Sequence, residues 1–196
     1  MLAFQGDVTE HISATKIAAK KLGISCDVLP VRTKHDLRSL DGLIIPGGES
    51  TVLQKLCERE GIFNDLKKIK NIFGTCAGAI MLARTVHNKE EDQTTLELMD
   101  IEVSRNAYGR QTDSFEEDIQ TRLGSMHAIF IRSPKIKKVG SGVAVLAKIN
   151  DETIACEQNT KEGYYLASCF HPELTTIKFH EYFLKKCTSF RSSHRF

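Results

Sequence analysis

Short apolar runs alternate along the chain with longer stretches in which apolar residues recur every three or four positions. The first pattern predicts buried strands, and the second predicts amphipathic helices. The predicted strands are residues 2–5, 26–31, 42–45, 71–74, 100–104, 127–132, 142–148, 153–157 and 164–170. The predicted helices are residues 10–22, 34–39, 50–59, 62–70, 77–86 and 175–187. The first half therefore has the order β-α-β-α-β-α, which is typical of a parallel sheet covered by helices on both faces.

The second half is richer in strands, which predicts a small antiparallel addition to the sheet. We therefore expect an α/β three-layer sandwich, with a mostly parallel central sheet between two helical layers. The polar segment 87–97 is predicted to be a surface loop. Because no repeat and no linker composition interrupts the pattern, residues 1–196 are predicted to form a single domain. Its last residues, about 188–196, are predicted to be a flexible basic tail.

The composition excludes several classes of protein. With 41% hydrophobic residues, 27% charged residues and a net charge of +2, the chain has no basic excess that would indicate a nucleic-acid or membrane partner. The start of the sequence lacks the pattern of a signal peptide, and no apolar run is long enough to cross a bilayer. The 6 cysteines form no C-x-x-C pair, so neither a zinc site nor a thioredoxin-like motif is indicated. A reducing compartment, hence the cytoplasm, is predicted.

Cys76 is the one cysteine whose surroundings differ from those of a buried structural thiol. It lies in "IFGTCAGAIM" (72–81), with Gly74 and Gly78 two residues away on either side. Small residues in these positions are needed where a strand turns sharply into a helix and exposes one side chain, as in the nucleophile elbow. If a helix begins at Ala77, its first N–H groups favour a thiolate and could hold an oxyanion.

A candidate base lies in "CFHPEL" (169–174). His171 and Glu173 are two residues apart, so they point the same way at an extended strand end, and Pro172 between them disfavours helix. Glu173 is thus placed to accept a hydrogen bond from one imidazole nitrogen while the other faces a thiol, as in a catalytic triad. The other histidines show no ligand spacing and are interpreted as structural or solvated: His11, His35, His87, His127, His180 and His194.

A third motif, "LIIPGGES" (43–50), places Gly47 and Gly48 directly after a predicted strand. Their backbone N–H groups are free to approach a ligand and to complete an oxyanion hole. Taken singly, G-x-C-x-G is as typical of a tight turn as of a nucleophile elbow, H-P-E is more typical of a surface turn, and PGG is usually a turn with an N-cap. Three of them at the carboxyl ends of three predicted strands indicate an active site, because ligands bind at that edge of open α/β sheets.

These motifs resemble those of class I glutamine amidotransferases, in which a cysteine elbow is paired with H-P-E. The narrower resemblance is to the glutaminase subunit of pyridoxal 5′-phosphate synthase, and it extends over residues 1–187. The segments that carry it are "LAFQGDVTEHI" (2–12), "GLIIPGGEST" (42–51), "FGTCAGAI" (73–80), "VSRNAYGRQTDSFE" (103–116), "FIRSP" (130–134) and "FHPEL" (170–174). The most discriminating segment is "RNAYGRQTDSF", which other amidotransferases lack.

The resemblance implies a role for each matching residue. Cys76 is the nucleophile, His171 the general base and then acid, and Glu173 the residue that orients His171, while the backbone N–H groups of Gly48 and Ala77 form the oxyanion hole. The positions that match glutamine-binding ones are Gly47, Gly48, Glu49, Ser50, Arg105, Ile131 and Arg132. Arg105 is the first choice for the α-carboxylate, because a guanidinium presents its donors as a planar fork.

The resemblance also implies a substrate and a partner. L-Glutamine is hydrolysed to glutamate and ammonia, and the ammonia passes to a synthase subunit in a heteromeric complex that builds pyridoxal phosphate. The resemblance implies no metal or organic cofactor. The enzyme classes that it implies are hydrolase and lyase. The oxyanion hole near Gly47 and Gly48 is predicted to be completed only when the synthase docks.

Two departures and two alternatives accompany this interpretation. The segment before Gln5 is shorter than is usual in the family, and Ser133 stands where alanine is common. A cysteine peptidase or hydrolase on the same layered fold could also use an elbow cysteine and a histidine, although the "RNAYGRQ" segment argues against it. A catalytically silent subunit that only regulates the synthase is the second alternative, and the joint presence of Cys76, His171 and Glu173 argues against it.

Overall fold

A computed structural model of the protein describes residues 1–105 and 114–192, with side chains in the second stretch as far as Ser189. The helices are α1 (Val8–Leu22), α2 (Ser50–Arg59), α3 (Phe63–Leu66), α4 (Ala77–Leu82) and α5 (Lys178–Ser192). The strands are β1 (Leu43–Ile45), β2 (Asn71–Thr75), β3 (Ala83–His87), β4 (Met99–Ser104), β5 (Phe115–Ile119), β6 (Met126–Phe130), β7 (Lys135–Val139), β8 (Val143–Ile149), β9 (Glu152–Asn159) and β10 (Tyr164–Ser168).

The central sheet has 8 strands in the order β1-β2-β10-β9-β7-β4-β3, with β8 paired to β9. Strands β1, β2 and β10 run parallel to one another, as do β3 and β4. The pairs β10–β9, β9–β7, β7–β4 and β8–β9 are antiparallel, and β5 and β6 form a separate antiparallel ribbon. The predicted α/β class with a small antiparallel addition is confirmed.

Helices cover both faces of the parallel part of this sheet. On one face α1 packs against α5, and α5 contacts β2; on the other, α2 packs against α4, which contacts β1, β2 and β10. Phe73 of β2 stacks on Phe179 of α5, with ring centroids 6.1 Å apart. Because β1, β2 and β10 are buried at every position, their sequences are nearly continuous apolar runs, which is why the pattern predicted them.

The predicted strands 2–5 and 26–31 are reduced to a single parallel bridge between Leu2 and Val31. The Leu2 backbone also donates to the Ile44 carbonyl oxygen at 2.9 Å, so the first residues lie along the edge of β1. The short segment before Gln5, noted above, thus pairs over only a few residues.

The predicted helix 34–39 is wrong, because these residues form consecutive turns. Thr33 and Asp36 have the spacing of a helix-capping pair, and the contact is present: Asp36 accepts hydrogen bonds from the backbone and the hydroxyl of Thr33, at 2.8 and 2.9 Å. Only Leu37 of these six residues packs into the hydrophobic core, which is too little to make up for the cost of helix nucleation. A local capping signal therefore marks a turn here.

Other boundaries also shift. The helix predicted for 77–86 ends at Leu82, and β3 begins at once, since Thr85 and Val86 are β-branched and pair with β4. The helix predicted for 62–70 is shortened to the four residues of α3. The last helix continues to Ser192, so the backbone at 188–192, which was predicted to belong to the flexible tail, is helical. Strands β5 and β7 were not predicted, because "FEEDI" and "KIKKV" are mainly polar. Within the described residues, no helix is both long enough and apolar enough to span a bilayer.

Candidate active site

Cys76 occupies a sharp turn between β2 and α4. Its backbone has φ 49° and ψ −105°, a left-handed conformation that costs a non-glycine residue roughly 1–3 kcal/mol. The two flanking glycines permit this turn: a Cβ on Gly74 would meet the backbone of Gly78, and a Cβ on Gly78 would meet the carbonyl of Ile45 in β1. The turn predicted from the glycine spacing is therefore present, and it holds the thiol at the end of a buried strand.

The three predicted motifs meet at one edge of the sheet. Ile45 of β1 lies opposite Gly74 of β2, and Ser168 of β10 lies opposite Thr75, so the carboxyl ends of these parallel strands are level. The Cys76 backbone N–H donates to the Ser168 carbonyl oxygen at 2.9 Å. As a result, Cys76, the Gly47–Gly48 turn and the segment leading to His171 lie side by side.

His171 and Glu173 form a buried pair next to the thiol. His171 Nδ1 lies 2.8 Å from Glu173 Oε1, and the two residues are 4% and 9% exposed. Burial alone lowers the pKa of His171, but hydrogen bonds with Cys76 and Glu173 outweigh it and raise the pKa to about 10. Burial likewise raises the pKa of Glu173, yet His11 and His171 outweigh it and lower the pKa to about 2. The structure thus brings the three residues of the predicted triad together, with the imidazole between the thiol and the carboxylate.

Asp7 is a second carboxylate at His171 that the sequence analysis missed. Its Oδ2 lies 3.1 Å from His171 Nδ1, the same atom that bonds Glu173. Asp7 is the N-cap residue of α1, but its side chain makes no capping hydrogen bond. The ligand atoms of Asp7, His171 and Glu173 lie within 4.8 Å of one another, and contacts among the three account for their arrangement without an added ion.

Two buried histidines lie behind Glu173. His11 Nε2 is 3.3 Å from Glu173 Oε2 and 3.0 Å from Thr75 Oγ1, and His11 Nδ1 is 2.9 Å from His180 Nε2. Both histidines are fully buried, which agrees with the interpretation of them as structural residues. Their contact with the carboxylate of the candidate triad was not foreseen.

The buried His180 gives the protein a characteristic acid sensitivity. Burial lowers its pKa from 6.5 to about 3, so the unfolded chain takes up a proton at His180 below pH 6.5 while the folded chain does not. Its contribution to stability is therefore lost progressively as the pH falls from 6.5 toward 3. When the pH is lowered from 7 to 5, the unfolding free energy of the parent is expected to fall by about 2 kcal/mol more than that of His180→Phe. Urea unfolding at both pH values measures this difference.

His127→Ala is the control for that measurement. Glu116 and Asp118 raise the pKa of the exposed His127. The stability that His127 contributes therefore grows as the pH falls, which is the opposite of the effect of His180. An identical pH dependence for His180→Phe and the parent would contradict the prediction.

The glycine pair after β1 lies against His171. A Cβ on Gly47 would come 2.5 Å from His171 Cε1, so Gly47 and the ring are in contact. Gly48 is exposed, with φ 119°, and the side chain of Gln5 packs over it and donates to the Glu49 carbonyl oxygen at 2.5 Å. The turn that was predicted to supply an oxyanion donor is therefore beside the base and is held by Gln5.

Arg105 lies next to this turn, but it is bonded within the protein. Its Nη2 is 2.6 Å from Glu49 Oε1 and its Nη1 is 2.5 Å from Gln93 Oε1, and the residue is 7% exposed. Gln93 also donates to the hydroxyl of Ser50 at 2.9 Å. Segment 87–97 was predicted to be a surface loop, yet it contains the fully buried Gln93. Most of the discriminating "RNAYGRQTDSF" segment, residues 106–113, lies outside the described residues.

Glu49 connects this network to α2. Its carboxylate caps the helix by accepting from the backbone N–H groups of Thr51 and Val52, at 3.2 and 2.8 Å. The carboxylate therefore both begins α2 and neutralises Arg105.

The predicted residues Ile131 and Arg132 follow β6. The Cys76 sulfur lies 3.8 Å from the Ile131 carbonyl oxygen, and the His171 backbone N–H donates to the Ile129 carbonyl oxygen at 2.9 Å. Arg132 is exposed and has φ 44°, a strained conformation. The structure thus brings Ile131 to the thiol and leaves the Arg132 side chain facing solvent.

The sequence profile of the SNO glutamine amidotransferase family matches residues 1–189. The chain belongs to this family. Among curated SNO-type relatives, a pyridoxal 5′-phosphate synthase subunit PdxT from Oenococcus oeni is 44% identical over 191 residues, covering 94% of each chain. The PdxT from Pyrococcus furiosus is 44% identical over 194 residues, covering 95% of this chain and 96% of its own.

A solved structure gives the same assignment. A crystal structure of a glutamine amidotransferase superposes with a TM-score of 0.81 at 44% identity, covering 95% of this chain and 97% of that one. This member of the SNO family is therefore an enzyme of the glutamine amidotransferase class, as the sequence predicted. The lyase class is wrong, since the matching family is one of amidotransferases.

Proposed function

We propose that this protein hydrolyses L-glutamine to L-glutamate and ammonia with Cys76, His171 and Glu173, and delivers the ammonia to a pyridoxal 5′-phosphate synthase subunit for vitamin B6 biosynthesis. The observation that carries the proposal is the buried Cys76–His171–Glu173 arrangement at the ends of parallel strands. The name shared by the curated relatives, pyridoxal 5′-phosphate synthase subunit PdxT, supports the synthase as the destination.

In the first half of the reaction, the Cys76 thiolate attacks the carboxamide carbon of glutamine. Negative charge develops on the carbonyl oxygen, where the backbone N–H groups of Gly48 and Ala77 would stabilise it. His171, with its pKa raised to about 10, is protonated at neutral pH and donates its Nε2 proton to the departing nitrogen. The C–N bond breaks, ammonia leaves, and a thioester to Cys76 remains.

In the second half, His171 acts as a base. Its neutral Nε2 removes a proton from water, and the resulting hydroxide attacks the thioester carbonyl. Collapse of the tetrahedral intermediate breaks the C–S bond, releases glutamate and restores the thiolate beside a protonated His171. Throughout, Glu173 accepts from Nδ1 at 2.8 Å, which holds the ring with Nε2 toward the sulfur.

Charge around the Gly47–Gly48 turn is suited to an amino acid. Arg105 offers a guanidinium for the α-carboxylate and Glu49 offers a carboxylate for the α-ammonium group. In this structure the two side chains bond each other at 2.6 Å. Binding of glutamine would therefore exchange this internal ion pair for two contacts with the substrate.

The proposal includes control by the partner. Free ammonia is wasted if it escapes, and the Gly47–Gly48 turn is held by Gln5 and Glu49 in contacts that a docking protein can rearrange. We therefore place completion of the oxyanion hole at the moment of complex formation. The 6 cysteines are all free, which is consistent with a reducing compartment such as the cytoplasm.

The test is glutamate release from L-glutamine by the purified chain, alone and with the synthase subunit. We expect release to appear only with the synthase and to require Cys76. Equal release with and without the synthase would contradict partner control. Cleavage of peptides without glutamine turnover would favour a peptidase, and the absence of any turnover would favour a silent regulatory subunit.

A further inference from the structure

His11 lies at a junction between the candidate triad and the elbow. Its Nε2 faces both Glu173 Oε2 at 3.3 Å and the hydroxyl of Thr75, the residue directly before Cys76, at 3.0 Å. The side chains of His11 and Glu173 are both completely buried. Glu173 Oε2 is buried and makes no well-aligned hydrogen bond within the described residues, and His11 Nε2 is the nitrogen that pairs with it, at 3.3 Å.

The hydrogen-bond chain has a definite direction. Burial keeps His180 neutral, and its Nδ1 has no partner within the described part of the chain. A proton on that Nδ1 would be an unpaired buried donor, whereas a bare nitrogen there costs less. The His180 proton therefore lies on Nε2 and is donated to His11 Nδ1 at 2.9 Å. His11 must then carry its own proton on Nε2, which points at Glu173 and Thr75.

From this geometry we infer that His11 is a positioning residue of the glutaminase site: it donates to the Glu173 carboxylate and thereby fixes the ring of His171 against Cys76. Glu173 thus has an imidazole on each side: His171 bonds Oε1 at 2.8 Å, and His11 Nε2 lies 3.3 Å from Oε2, within reach of a small rotation of the ring. An ionised carboxylate with two donors stays ionised and keeps one orientation. The second contact of His11, to Thr75, ties the same ring to the strand that ends at the nucleophile.

Other charged groups also face this pair, and they are not equivalent to His11. Asp7 precedes α1 and approaches His171 Nδ1 at 3.1 Å, but its side chain is 38% exposed and contacts the ring rather than Glu173. Cys76 contacts His171 from the elbow, and His180 reaches Glu173 only through His11. Besides His171, His11 is the described residue whose ring nitrogen forms an ion pair with Glu173.

The test compares His11→Phe with His11→Gln in the complex with the synthase subunit, because the inference rests on the proposed function for its turnover readout. Phenylalanine fills the site without a donor, whereas the glutamine amide can donate near the position of Nε2. We expect His11→Phe to lower kcat by about 10- to 100-fold with KM changed less than about twofold. We expect His11→Gln to retain at least about a third of the parental kcat.

A second readout needs no turnover. Alkylation of Cys76 by iodoacetamide, followed across pH by peptide mass spectrometry, reports on the sulfur–imidazole pair. Without His11, the Glu173 carboxylate and the His171 ring are less firmly held beside the sulfur, so the alkylation profile is expected to differ from that of the parent in His11→Phe and to match it in His11→Gln. If the parental complex releases no glutamate, the proposed function fails, and the alkylation profile alone decides the role of His11.

Two results would overturn the inference. One is a folded His11→Phe whose kcat and alkylation profile match those of the parent. The other is an equal loss in both variants, which would show a packing role for the ring. If His11→Phe does not fold, a tenfold lower kcat in a folded His11→Gln is the result that contradicts the inference, and near-parental turnover supports it.

Discussion

Cys76→Ala is expected to reduce glutamate release in the synthase complex by on the order of 10⁴-fold or more, because no other described group could form the thioester. The alternative thiols are unsuited to attack. Burial raises the pKa of Cys57, Cys156 and Cys187 to about 12, and Cys169 is raised further still. Initial rates of glutamate release, with the protein shown to be folded by circular dichroism, measure the effect.

Cys26→Ala is the matched control for that experiment. Cys26 is partly buried and lies near the protein's first residue, away from the elbow. It is expected to leave the rate unchanged within about twofold. Retention of glutaminase activity by Cys76→Ala would remove Cys76 from the chemistry and with it the mechanism proposed above.

Gly47→Ala is expected to lower kcat by about 100-fold while the fold is retained, through the position of His171. The new methyl group would lie 2.5 Å from His171 Cε1, whereas carbon atoms in contact are normally about 3.5–4.0 Å apart. The ring must therefore move by about 1 Å, which is enough to spoil proton transfer. The turn cannot easily retreat instead, because Gly6 packs directly behind the Gly47 carbonyl.

Gly142→Ala provides the comparison for this substitution. Gly142 precedes β8, and a Cβ there would meet only the side chain of Gln158 at 3.6 Å, an ordinary contact. Both variants should melt within a few degrees of the parent, and only Gly47→Ala should lose activity. A Gly47→Ala enzyme with parental kcat would show that the ring is not confined by this turn.

The parts of the site that the sequence predicted share one property: each is a contiguous motif at the end of a strand. "GTCAG", "PGGES" and "FHPEL" carry their own turn chemistry, and a parallel sheet necessarily brings the carboxyl ends of neighbouring strands together. The narrower family resemblance then supplied the roles of Arg105 and Ile131, which no local pattern reveals.

The residues that were missed act across long sequence separations. His11 and His180 are 169 positions apart, and Gln5 contacts Glu49 at a separation of 44. One local signal was available: Asp7 and His11 are four residues apart at the start of a helix, and this spacing places both on one face. The failed helix at 34–39 shows the converse, since a capping motif with a single buried residue, Leu37, produced only turns.

The thiol and its base are encoded far apart, and this order matters while the chain is being synthesised. A ribosome-bound chain that has emerged through β9 already carries Cys76 but lacks both other members of the proposed triad, His171 and Glu173. Both arrive only with β10 and the turn before α5, and α5 must then pack against α1. The proposed triad therefore cannot assemble before residues 171–173 have been synthesised, which makes β10 and the turn after it the step that would switch on glutamine hydrolysis during synthesis.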